Sequence, residues 1–442
     1  MGKSVFHHNL PAWELLRNSN KLAKNPIPFH HKWFSKYGNT LGIKFLTGTK
    51  VMLTRDPEVA AHILRKNHRN YFKSDITSHH LGKYIGYGLL TLNGNEWRED
   101  RRLLQPGFYK KRIEQLYNHT IPKTVATTLD RIPVGKTVDI RSFMNELAFE
   151  VVTNALFDVQ IDELLLREIR EIIDSVQLYF VKEVRQPQWN IFRILLGRQA
   201  KVFRQVKRIR QIMNGLIEAR LQSDTVHEDL LDLMLNSSYE DGSPMERERI
   251  IDELIILIVA GHETTANGLN FMVHQLAQKP KILHKVKEEV QAVAHEHLSP
   301  YEQLSQMNYG RAVVQETLRK YPPAWIIDRK ALKLDQVGET YIPAETLIAI
   351  SIIELHHNPN YWKLPEKFDP DRFLSPPPPV YIPFGIGPRM CIGNHFALFE
   401  MIEVLRQLAL RFQLSTSQKD LNQMALITLQ PSEAVNIHFD YA

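Results

Sequence analysis

Cysteine is almost absent from this chain, because Cys391 is the only one among 442 residues. A single thiol excludes intrachain disulfides and is typical of a reducing compartment. Long apolar runs are also missing: charged residues interrupt positions 1–29 before any stretch approaches the ~18–20 residues that a membrane span needs. No secretory signal peptide is recognisable in that segment. We therefore expect a cytoplasmic protein that involves no membrane.

A strong excess of charge of one sign is missing as well. The 55 basic and 49 acidic residues leave a formal net charge of +6, which is modest for this length. Nucleic-acid-binding proteins concentrate basic residues in a stripe or a recognisable motif, so we predict no nucleic-acid partner. A weakly basic surface does suit the docking of an acidic protein.

The chain shows no internal repeats, and its composition is that of an ordinary globular protein, with 43% hydrophobic and 24% charged residues. Its length fits one large helical enzyme as well as two or three average domains. Short β-like segments occur near 40–54 and 330–353, and most of the remainder has helical periodicity. The longest helical pattern covers 245–279 and is apolar on most sides, which predicts a helix through the interior.

Cys391 lies in a loop rich in glycine, since residues 384–393 read FGIGPRMCIG. Glycine permits positive φ and lets the backbone approach a flat partner closely. Apolar residues at helical spacing follow, so the sulfur should lie just before a helix N-terminus, where the helix dipole lowers the pKa of a thiol. Such a thiolate is a nucleophile or a metal ligand, and a buried structural thiol is the alternative.

The long helical pattern is interrupted at 260–265 by the sequence AGHETT. Glu263 is a charge in apolar surroundings and needs a partner. The hydroxyls of Thr264 and Thr265 can bond to a carbonyl one turn earlier, and Gly261 beside them leaves room for a ligand. We interpret His262 as structural.

Together these segments resemble the cytochrome P450 superfamily. The loop at 384–393 matches the haem-binding pattern F-x-x-G-x-R-x-C-x-G, and Glu263 with Thr264 is similar to the acid–alcohol pair of the oxygen-binding helix. Trp97 and Arg101 resemble the W-x-x-x-R helix. Glu316 and Arg319, with the later Arg372, match the E-x-x-R helix and the arginine that pairs with it to lock the core.

The resemblance covers nearly the whole chain and implies a fold. That fold is mainly α with a small β region (α+β), in the triangular P450 arrangement, with the haem between the long central helix and the helix after the cysteine loop. We expect one haem domain over 1–442, with a β-rich subregion at about 36–70 plus 325–353 and no fused reductase.

The resemblance also implies the residues of the site. Cys391 is the expected metal ligand, holding haem b (iron protoporphyrin IX) through its thiolate, and Thr264 and Glu263 are the expected catalytic residues. The other residues expected to contact the cofactor are Trp97, Arg101, Arg329, Arg389, Phe384, Gly385, Ile392, Gly393, Ala260 and Gly261.

The implied activity is that of a bacterial-type monooxygenase, which inserts one oxygen atom of O2 into a C–H bond of a small organic substrate. Electrons are expected from an external ferredoxin or flavodoxin with its reductase. Two substrate classes stay open: a fatty acid, which would be hydroxylated, or a hydroxylated small molecule or methyl ether, such as a methylated sugar, which would undergo O-demethylation.

The second class rests on polar and aromatic residues in segments that line the pocket in this family, among them His79, Lys83, Tyr84, Gln188 and Trp189. A haem-binding sensor, a peroxide-driven enzyme and an isomerase on the same fold are the alternatives. The acid–alcohol pair disfavours the sensor and the isomerase, because neither delivers protons to dioxygen.

Overall fold

The structure, a computed structural model, describes residues 3–4, 6, 10–45, 48–157, 162–225, 227, 229–294 and 297–442. The α-helices are α1 (Ala12–Lys24), α2 (Ile27–Tyr37), α3 (Pro57–Ala61), α4 (Gly82–Ile85), α5 (Gly94–Leu104), α6 (Lys110–Asn118), α7 (Thr120–Asp130), α8 (Arg141–Phe157), α9 (Glu163–Arg185), α10 (Asn190–Leu195), α11 (Arg198–Leu221), α12 (Leu230–Asn236), α13 (Arg247–Gln278), α14 (Pro280–Val293), α15 (Pro300–Gln306), α16 (Asn308–Lys320), α17 (Ile352–His356) and α18 (Asn394–Arg411). Single turns of π-helix (His62–Lys66, Ile76–Leu81) and 3₁₀-helix (His68–Asn70, Gln105–Phe108, Pro187–Trp189, Pro370–Phe373) connect some of them.

The strands are β1 (Lys3–Ser4), β2 (Thr40–Lys44), β3 (Lys50–Thr54), β4 (Tyr71–Phe72), β5 (Lys136–Asp139), β6 (Ile326–Ala331), β7 (Asp335–Val337), β8 (Thr340–Ile342), β9 (Leu347–Ser351), β10 (Phe412–Ser415), β11 (Gln423–Ala425), β12 (Leu429–Pro431) and β13 (Asn436–Tyr441). Helices thus predominate, and the strands form small sheets. The predicted fold class, mainly α with a small β region, is confirmed.

The largest sheet joins the two β segments that the sequence predicts. Its strand order is β2-β3-β9-β6-β4, with β3 parallel to β9 and the other pairs antiparallel. A further sheet, β10-β13-β5, and the hairpin β11-β12 escaped the sequence analysis. Most of these strands are only three or four residues long, too short for an alternating pattern to emerge.

The central helix α13 has 32 residues, and its bounds agree with the predicted 245–279 to within two residues at each end. Its first half, residues 250–259, belongs to one hydrophobic cluster, whereas its second half, residues 269–277, belongs to another. The AGHETT segment therefore lies where the two cores meet. Pro280 does not merely stop α13, because it also begins α14.

A buried ion pair joins α16 to the segment that precedes the cysteine loop. Arg319 Nε donates to Glu316 Oε2 at 2.7 Å, and both side chains are fully buried. Arg319 also donates to the carbonyls of His356 and Pro365, at 3.0 and 2.8 Å. Arg372 Nε donates to Glu316 Oε1 at 3.2 Å, so the pairing of these three residues is confirmed.

None of the helices in the described ranges combines the length and the apolarity that crossing a membrane requires.

Candidate functional site

The cysteine loop is held by its own backbone. The Cys391 N–H donates to the Phe384 carbonyl, and the Met390 N–H donates to that of Gly387, both at 3.0 Å. Gly387 has φ 78°, and a Cβ there would overlap the Leu64 carbonyl. The loop therefore needs glycine at this position both for its conformation and for its close approach to the backbone near the end of the π-helical turn.

The sulfur lies at the predicted place, since α18 begins at Asn394 with Gly393 as its N-cap. The Cys391 side chain keeps solvent-accessible surface although protein atoms surround it, as in a group that lines an internal cleft. Burial raises the pKa of the Cys391 thiol, and the Gly393 N–H and the Arg101 guanidinium lower it by less. The Gly393 N–H at the helix N-terminus thus lowers the pKa of the thiol, but burial outweighs it.

A raised pKa distinguishes between the two chemical interpretations of the thiol. A nucleophile needs a thiolate at neutral pH, which the surroundings of Cys391 disfavour. A coordinated metal ion deprotonates a thiol outright, so a metal ligand does not need a lowered pKa beforehand. The environment of Cys391 therefore suits a metal ligand better than a free nucleophile.

The middle of α13 is open on one side. Ala260 is exposed, and Gly261, Glu263 and Thr264 are half-buried. Every other residue of the helix from 250 to 277 is buried. Thr264 Oγ1 donates to the Ala260 carbonyl at 2.7 Å, one turn earlier, as predicted. Exposed surface in the middle of an interior helix marks the wall of a cleft.

Gly261 has a packing role in addition to the one that the sequence suggests. A Cβ at this residue would lie 2.8 Å from Val152 Cγ2 on α8. The missing side chain therefore allows α8 and α13 to pack closely, and it is Ala260 whose small side chain faces the cleft. Ile392, next to Cys391, packs against the cluster that contains residues 250–259, so the loop and α13 border the same region.

Three cations cluster around one carboxylate near this cleft. Lys73, Arg329 and Arg389 perturb one another, and Asp328 is the acidic group among them. Burial, followed by repulsion from Arg329, lowers the pKa of Lys73 to about 7 and that of Arg389 to about 9. The Arg389 guanidinium lies 4.1 Å from the centre of the Trp97 ring. This excess of buried positive charge requires an anionic partner.

Lys73 was missed by the sequence analysis, because nothing in its local sequence distinguishes it. It follows β4, whose antiparallel pairing with β6 brings it beside Arg329. Arg101, which is predicted to contact the cofactor, lies against the cysteine loop. Its Nη1 donates to the Met390 carbonyl at 3.0 Å, and its Nε donates to Gln105 Oε1 at 2.8 Å.

Glu263 finds the partner that its burial requires. Thr428 Oγ1, in the β11–β12 turn, donates to Glu263 Oε1 at 2.8 Å, and Asn267 Nδ2 donates to Thr428 Oγ1 at 3.0 Å. Burial raises the pKa of Glu263 to about 7, although the bond from Thr428 opposes this shift. Thr428 was also missed, because 165 residues separate it from Glu263.

His262 points to the other side of α13. Its ring is buried edge-on to Phe149, with the ring centres 5.3 Å apart, and neither ring nitrogen has a hydrogen-bond partner among the described residues. Burial lowers the pKa of His262 to about 4, so the ring is neutral at pH 7. These surroundings agree with the structural interpretation of this residue.

Comparison with known sequences decides the family. The sequence profile described as Cytochrome P450 matches residues 8–437. The chain belongs to the cytochrome P450 family. It is accordingly an oxidoreductase of the monooxygenase class, and its cofactor is haem b, which P450 proteins bind through a cysteine thiolate.

Similar P450 sequences come from distant organisms. Cyclooctat-9-en-7-ol 5-monooxygenase of Streptomyces melanosporofaciens is 29% identical over 406 residues, which cover 90% of this chain and 87% of that protein. The chloroplastic protein LUTEIN DEFICIENT 5 of Arabidopsis thaliana is 28% identical over 417 residues, covering 87% and 69%. Cytochrome P450 3A29 of Sus scrofa is 28% identical over 400 residues, covering 84% and 78%.

The residues of this P450 fit haem b. The cofactor is a flat, largely apolar ring with two propionates, so it needs an axial ligand, an apolar cleft and cations. The accessible Cys391 sulfur can serve as the ligand, and the opening beside Ala260 can serve as the cleft. The cations are Lys73, Arg329 and Arg389, which have a single carboxylate among them.

Proposed function

We propose that Cys391 would hold haem b through its thiolate sulfur. We also propose that this P450 inserts one oxygen atom of O2 into a C–H bond of a predominantly apolar substrate, while two electrons and two protons convert the other oxygen atom to water. The observation that carries the proposal is the accessible sulfur of the only cysteine, on a loop that borders the same region as the opening in α13 at Ala260. When bound, the haem supplies the dioxygen and redox chemistry, and the chain supplies position, charge and protons.

The cation cluster has the task of orienting the cofactor. Lys73, Arg329 and Arg389 are proposed to bind the propionates, because charge-assisted hydrogen bonds to carboxylates are strong and directional. The Arg389 guanidinium lies over the Trp97 ring, which helps to hold it in place. Arg101 is proposed to brace the cysteine loop through the Met390 carbonyl instead of binding a propionate.

Glu263 and Thr264 are proposed to hold and move protons. A carboxyl group with a pKa of about 7 exchanges its proton readily at neutral pH, as a general acid–base group must. Thr428 and Asn267 orient that carboxyl, and the bond from Thr264 to the Ala260 carbonyl orients the hydroxyl beside it. The two adjacent residues thus offer a proton donor and a positioned hydroxyl at the opening.

The proposal of an apolar substrate is supported by partly accessible apolar side chains of the cluster that extends along α13 to the opening. Leu89, Leu90, Ile392, Leu426 and Ile427 pack against the cluster that contains residues 250–259 and keep part of their surface accessible. Apolar walls bind hydrocarbon by excluding water.

Two of the polar residues that suggest a methylated sugar, Lys83 and Tyr84, are engaged with another side chain. Lys83 Nζ and Tyr84 Oη donate to the Glu183 carboxylate at 2.7 and 2.9 Å. His79, Gln188 and Trp189 are exposed. We therefore propose a fatty acid, or another hydrocarbon-rich compound, in preference to a methyl ether that would be demethylated.

Arg185 supports the fatty-acid class. Its guanidinium donates to the carbonyls of Lys24 and Leu426, at 3.4 and 3.2 Å, and no carboxylate pairs with it within the described part of the chain. Burial lowers the pKa of Arg185 to about 10. The Leu426 turn also carries Thr428, the partner of Glu263, so a carboxylate bound at Arg185 would have its hydrocarbon chain near the opening.

Electrons are proposed to come from an external ferredoxin or flavodoxin. The contact between Arg101 and the Met390 carbonyl places α5 against the cysteine loop. Arg98 on α5, with Lys110 and Lys111 just beyond it, is exposed and basic. An acidic electron carrier would meet complementary charge there.

The proposed function is tested with isotopically labelled dioxygen, a reduced ferredoxin and the haem-loaded protein. A long-chain fatty acid, an n-alkane and a methylated hexose serve as alternative substrates. We expect one labelled oxygen atom in the fatty-acid product and no formaldehyde from the sugar. Formaldehyde release from the sugar without fatty-acid oxidation would refute the substrate class, and unlabelled product would refute the dioxygen-dependent reaction.

Replacement of Thr264 by alanine is expected to uncouple electron use from product formation. The variant lacks the hydroxyl that the Ala260 carbonyl holds in place, so protons are delivered less efficiently. The measured quantity is product formed per electron pair consumed, which should fall roughly 10-fold or more. Thr264→Ser keeps the hydroxyl and is expected to retain most of the coupling; equal coupling in all three proteins would remove Thr264 from the proton path.

Glu263 is expected to make stability pH-dependent. Its pKa is raised from 4.5 to about 7 in the folded protein, so burial favours the neutral carboxyl. The folded state therefore loses stability as the pH rises from about 4.5 to about 7, by up to about 3 kcal/mol, and the loss is constant above that range. Glu263→Gln should remove this pH dependence of the free energy of unfolding.

The measurement is the free energy of unfolding of wild type and variant from pH 5 to pH 8. The variant should gain stability relative to wild type across this interval while keeping the bond from Thr428. Parallel curves for the two proteins would contradict a raised pKa at Glu263.

A further inference from the structure

Two carboxyl groups lie buried against each other between α5 and α13. Asp100 on α5 and Glu253 on α13 are 2% and 0% exposed. The two side chains are within hydrogen-bond reach of each other, and they repel each other when both are ionised. Two like charges in contact inside a protein are unfavourable, so this pair has to hold its charge in some other way.

The hydrogen bonds of the pair leave one oxygen of each carboxyl without a donor. Asp100 Oδ1 accepts from Tyr239 Oη at 2.8 Å. Glu253 Oε1 accepts from the Leu89 N–H, also at 2.8 Å. Asp100 Oδ2 and Glu253 Oε2 are buried and have no hydrogen-bond donor among the described residues. Arg249 Nε is 3.7 Å from Asp100 Oδ2, too far for a hydrogen bond, so a proton between the two free oxygens is what would satisfy both.

The surroundings of the pair favour one proton over none. Burial, followed by repulsion from Asp100, raises the pKa of Glu253 well above its usual range. Burial also raises the pKa of Asp100, which Glu96 on the same helix raises further. Arg249 lowers both pKa values by less than burial raises them, and its guanidinium also pairs with Glu96 at 3.4 Å. One of the two carboxyls therefore keeps its proton at neutral pH.

Glu253 also holds the loop 86–93, which leads into α5. The bond from the Leu89 N–H joins the middle of this loop to the carboxyl. A Cβ at Gly88 would lie 2.6 Å from Glu253 Cδ, so the loop backbone rests directly on this side chain. At the start of the loop, the Tyr87 N–H donates to Asp252 Oδ2 at 2.7 Å. The carboxyl pair thus lies where the loop, α5 and α13 meet.

The same loop contributes to both sides of the site. Leu89 and Leu90 pack against the apolar cluster that contains residues 250–259. Near the other end of the loop, the Leu92 carbonyl accepts from Arg389 Nη1 at 2.9 Å. The position of the loop therefore affects both the apolar wall and one of the cations that we propose for a propionate.

We propose that Asp100 and Glu253 share one proton and that this proton holds the loop 86–93 in position against α5 and α13. With the proton present, a hydrogen bond between the two carboxyls joins the helices. Loss of the proton leaves two adjacent carboxylates in a buried site, and their repulsion loosens α5 from α13 and releases the loop. Asp100 and Glu253 are positioning residues, because they act through the loop.

The direction of the pH dependence follows from the raised pKa of the pair. A carboxyl whose pKa is raised in the folded protein stabilises it while the proton is bound, and this stabilisation is lost as the pH rises through the pKa of the folded state. Because the two groups titrate together, the loop responds to the loss of their shared proton. The loop should therefore be held at low pH and released at high pH.

The test is hydrogen exchange at the Leu89 amide of the haem-loaded full chain, at pH 6 and pH 9 and without substrate. Protection is expressed relative to the intrinsic exchange rate at each pH, which removes the direct effect of pH on exchange. The test variant is Glu253→Gln, whose amide oxygen can accept from Leu89 while its NH2 group donates to the Asp100 carboxylate at every pH. The matched control is Glu400→Gln, which removes an equally buried carboxyl (1% exposed) of raised pKa from α18. The haem absorption spectrum verifies that each variant is folded.

We expect the protection of Leu89 in wild type and in the control to fall at least about tenfold from pH 6 to pH 9, the change for one pH unit above the pKa of the pair. Glu253→Gln should keep the protection that wild type has at pH 6 at both pH values. Equal losses in wild type and Glu253→Gln, or no loss in wild type, would overturn the proposal. Low protection of Glu253→Gln at both pH values would also overturn it, because a permanent donor would then fail to replace the proton.

The control and the absence of substrate make the outcome specific to the pair. A Glu400→Gln protein whose Leu89 protection no longer depends on pH would place the responsible proton elsewhere and would overturn the proposal too. Since protection is measured without substrate, its outcome does not depend on the proposed substrate class.

Discussion

Replacement of Cys391 by serine is expected to abolish oxygenase activity. The thiolate supplies electron density to the iron that a neutral hydroxyl does not supply, and the chain holds no second cysteine that could substitute. Changes around a metal ligand already cost roughly 10–100-fold in activity, so loss of the ligand itself should cost more than about 100-fold. The measurements are product formation and the absorption spectrum of the reduced carbonyl complex.

The spectrum separates loss of the ligand from loss of the fold. The Cys391→Ser protein should lose the red-shifted Soret band of the thiolate complex while its far-ultraviolet circular dichroism stays unchanged. Met390→Leu is the control, because Met390 is adjacent and accepts the hydrogen bond from Arg101 through its backbone carbonyl, which the substitution keeps. A Cys391→Ser protein with the wild-type carbonyl spectrum would end the assignment of the axial ligand.

Replacement of Glu316 by alanine is expected to destabilise the fold strongly. Arg319 is fully buried and would be left without its carboxylate, and the Asp369 N–H and Arg372 Nε would each lose an acceptor. Breaking a buried pair by removing one partner typically costs about 3–5 kcal/mol. The measurement is the free energy of unfolding by urea, together with the fraction of protein that retains haem.

The matched control removes a glutamate from an exposed ion pair. Glu168→Ala breaks the contact with Arg208, and the side chains of both residues are exposed. The free energy of unfolding should therefore fall by at most about 1 kcal/mol. Similar losses for Glu316→Ala and Glu168→Ala would show that the buried pair does not stabilise the core behind the cysteine loop.

The family and the helix-rich fold could be predicted from the sequence because their signals are local. The glycines, the arginine and the cysteine of the loop lie within ten residues. Helix α13 can be predicted because its apolar run is longer than any strand of the protein. The contact of Arg372 with Glu316 was predicted from the family resemblance and is present. Each of these features depends on residues close together or on a pattern shared by many chains.

Other features of the site depend on contacts between distant segments. Strand pairing between β4 and β6 brings Lys73 to Arg329, and the β11–β12 turn brings Thr428 to Glu263. Burial, which no local sequence specifies, raises the pKa of the Cys391 thiol against the helix dipole. The position of Arg101 against the Met390 carbonyl depends on the same kind of long-range contact.

By itself, then, the sequence determined that this chain is a P450 with one thiol for its metal, a buried central helix and an acid–alcohol pair within it. Only the tertiary structure decided which cations cluster, what holds Glu263, and that the apolar side chains of α10 face outward. The reason is that periodicity distinguishes one face of an element from another, whereas only packing decides whether a face meets the core, a ligand or solvent.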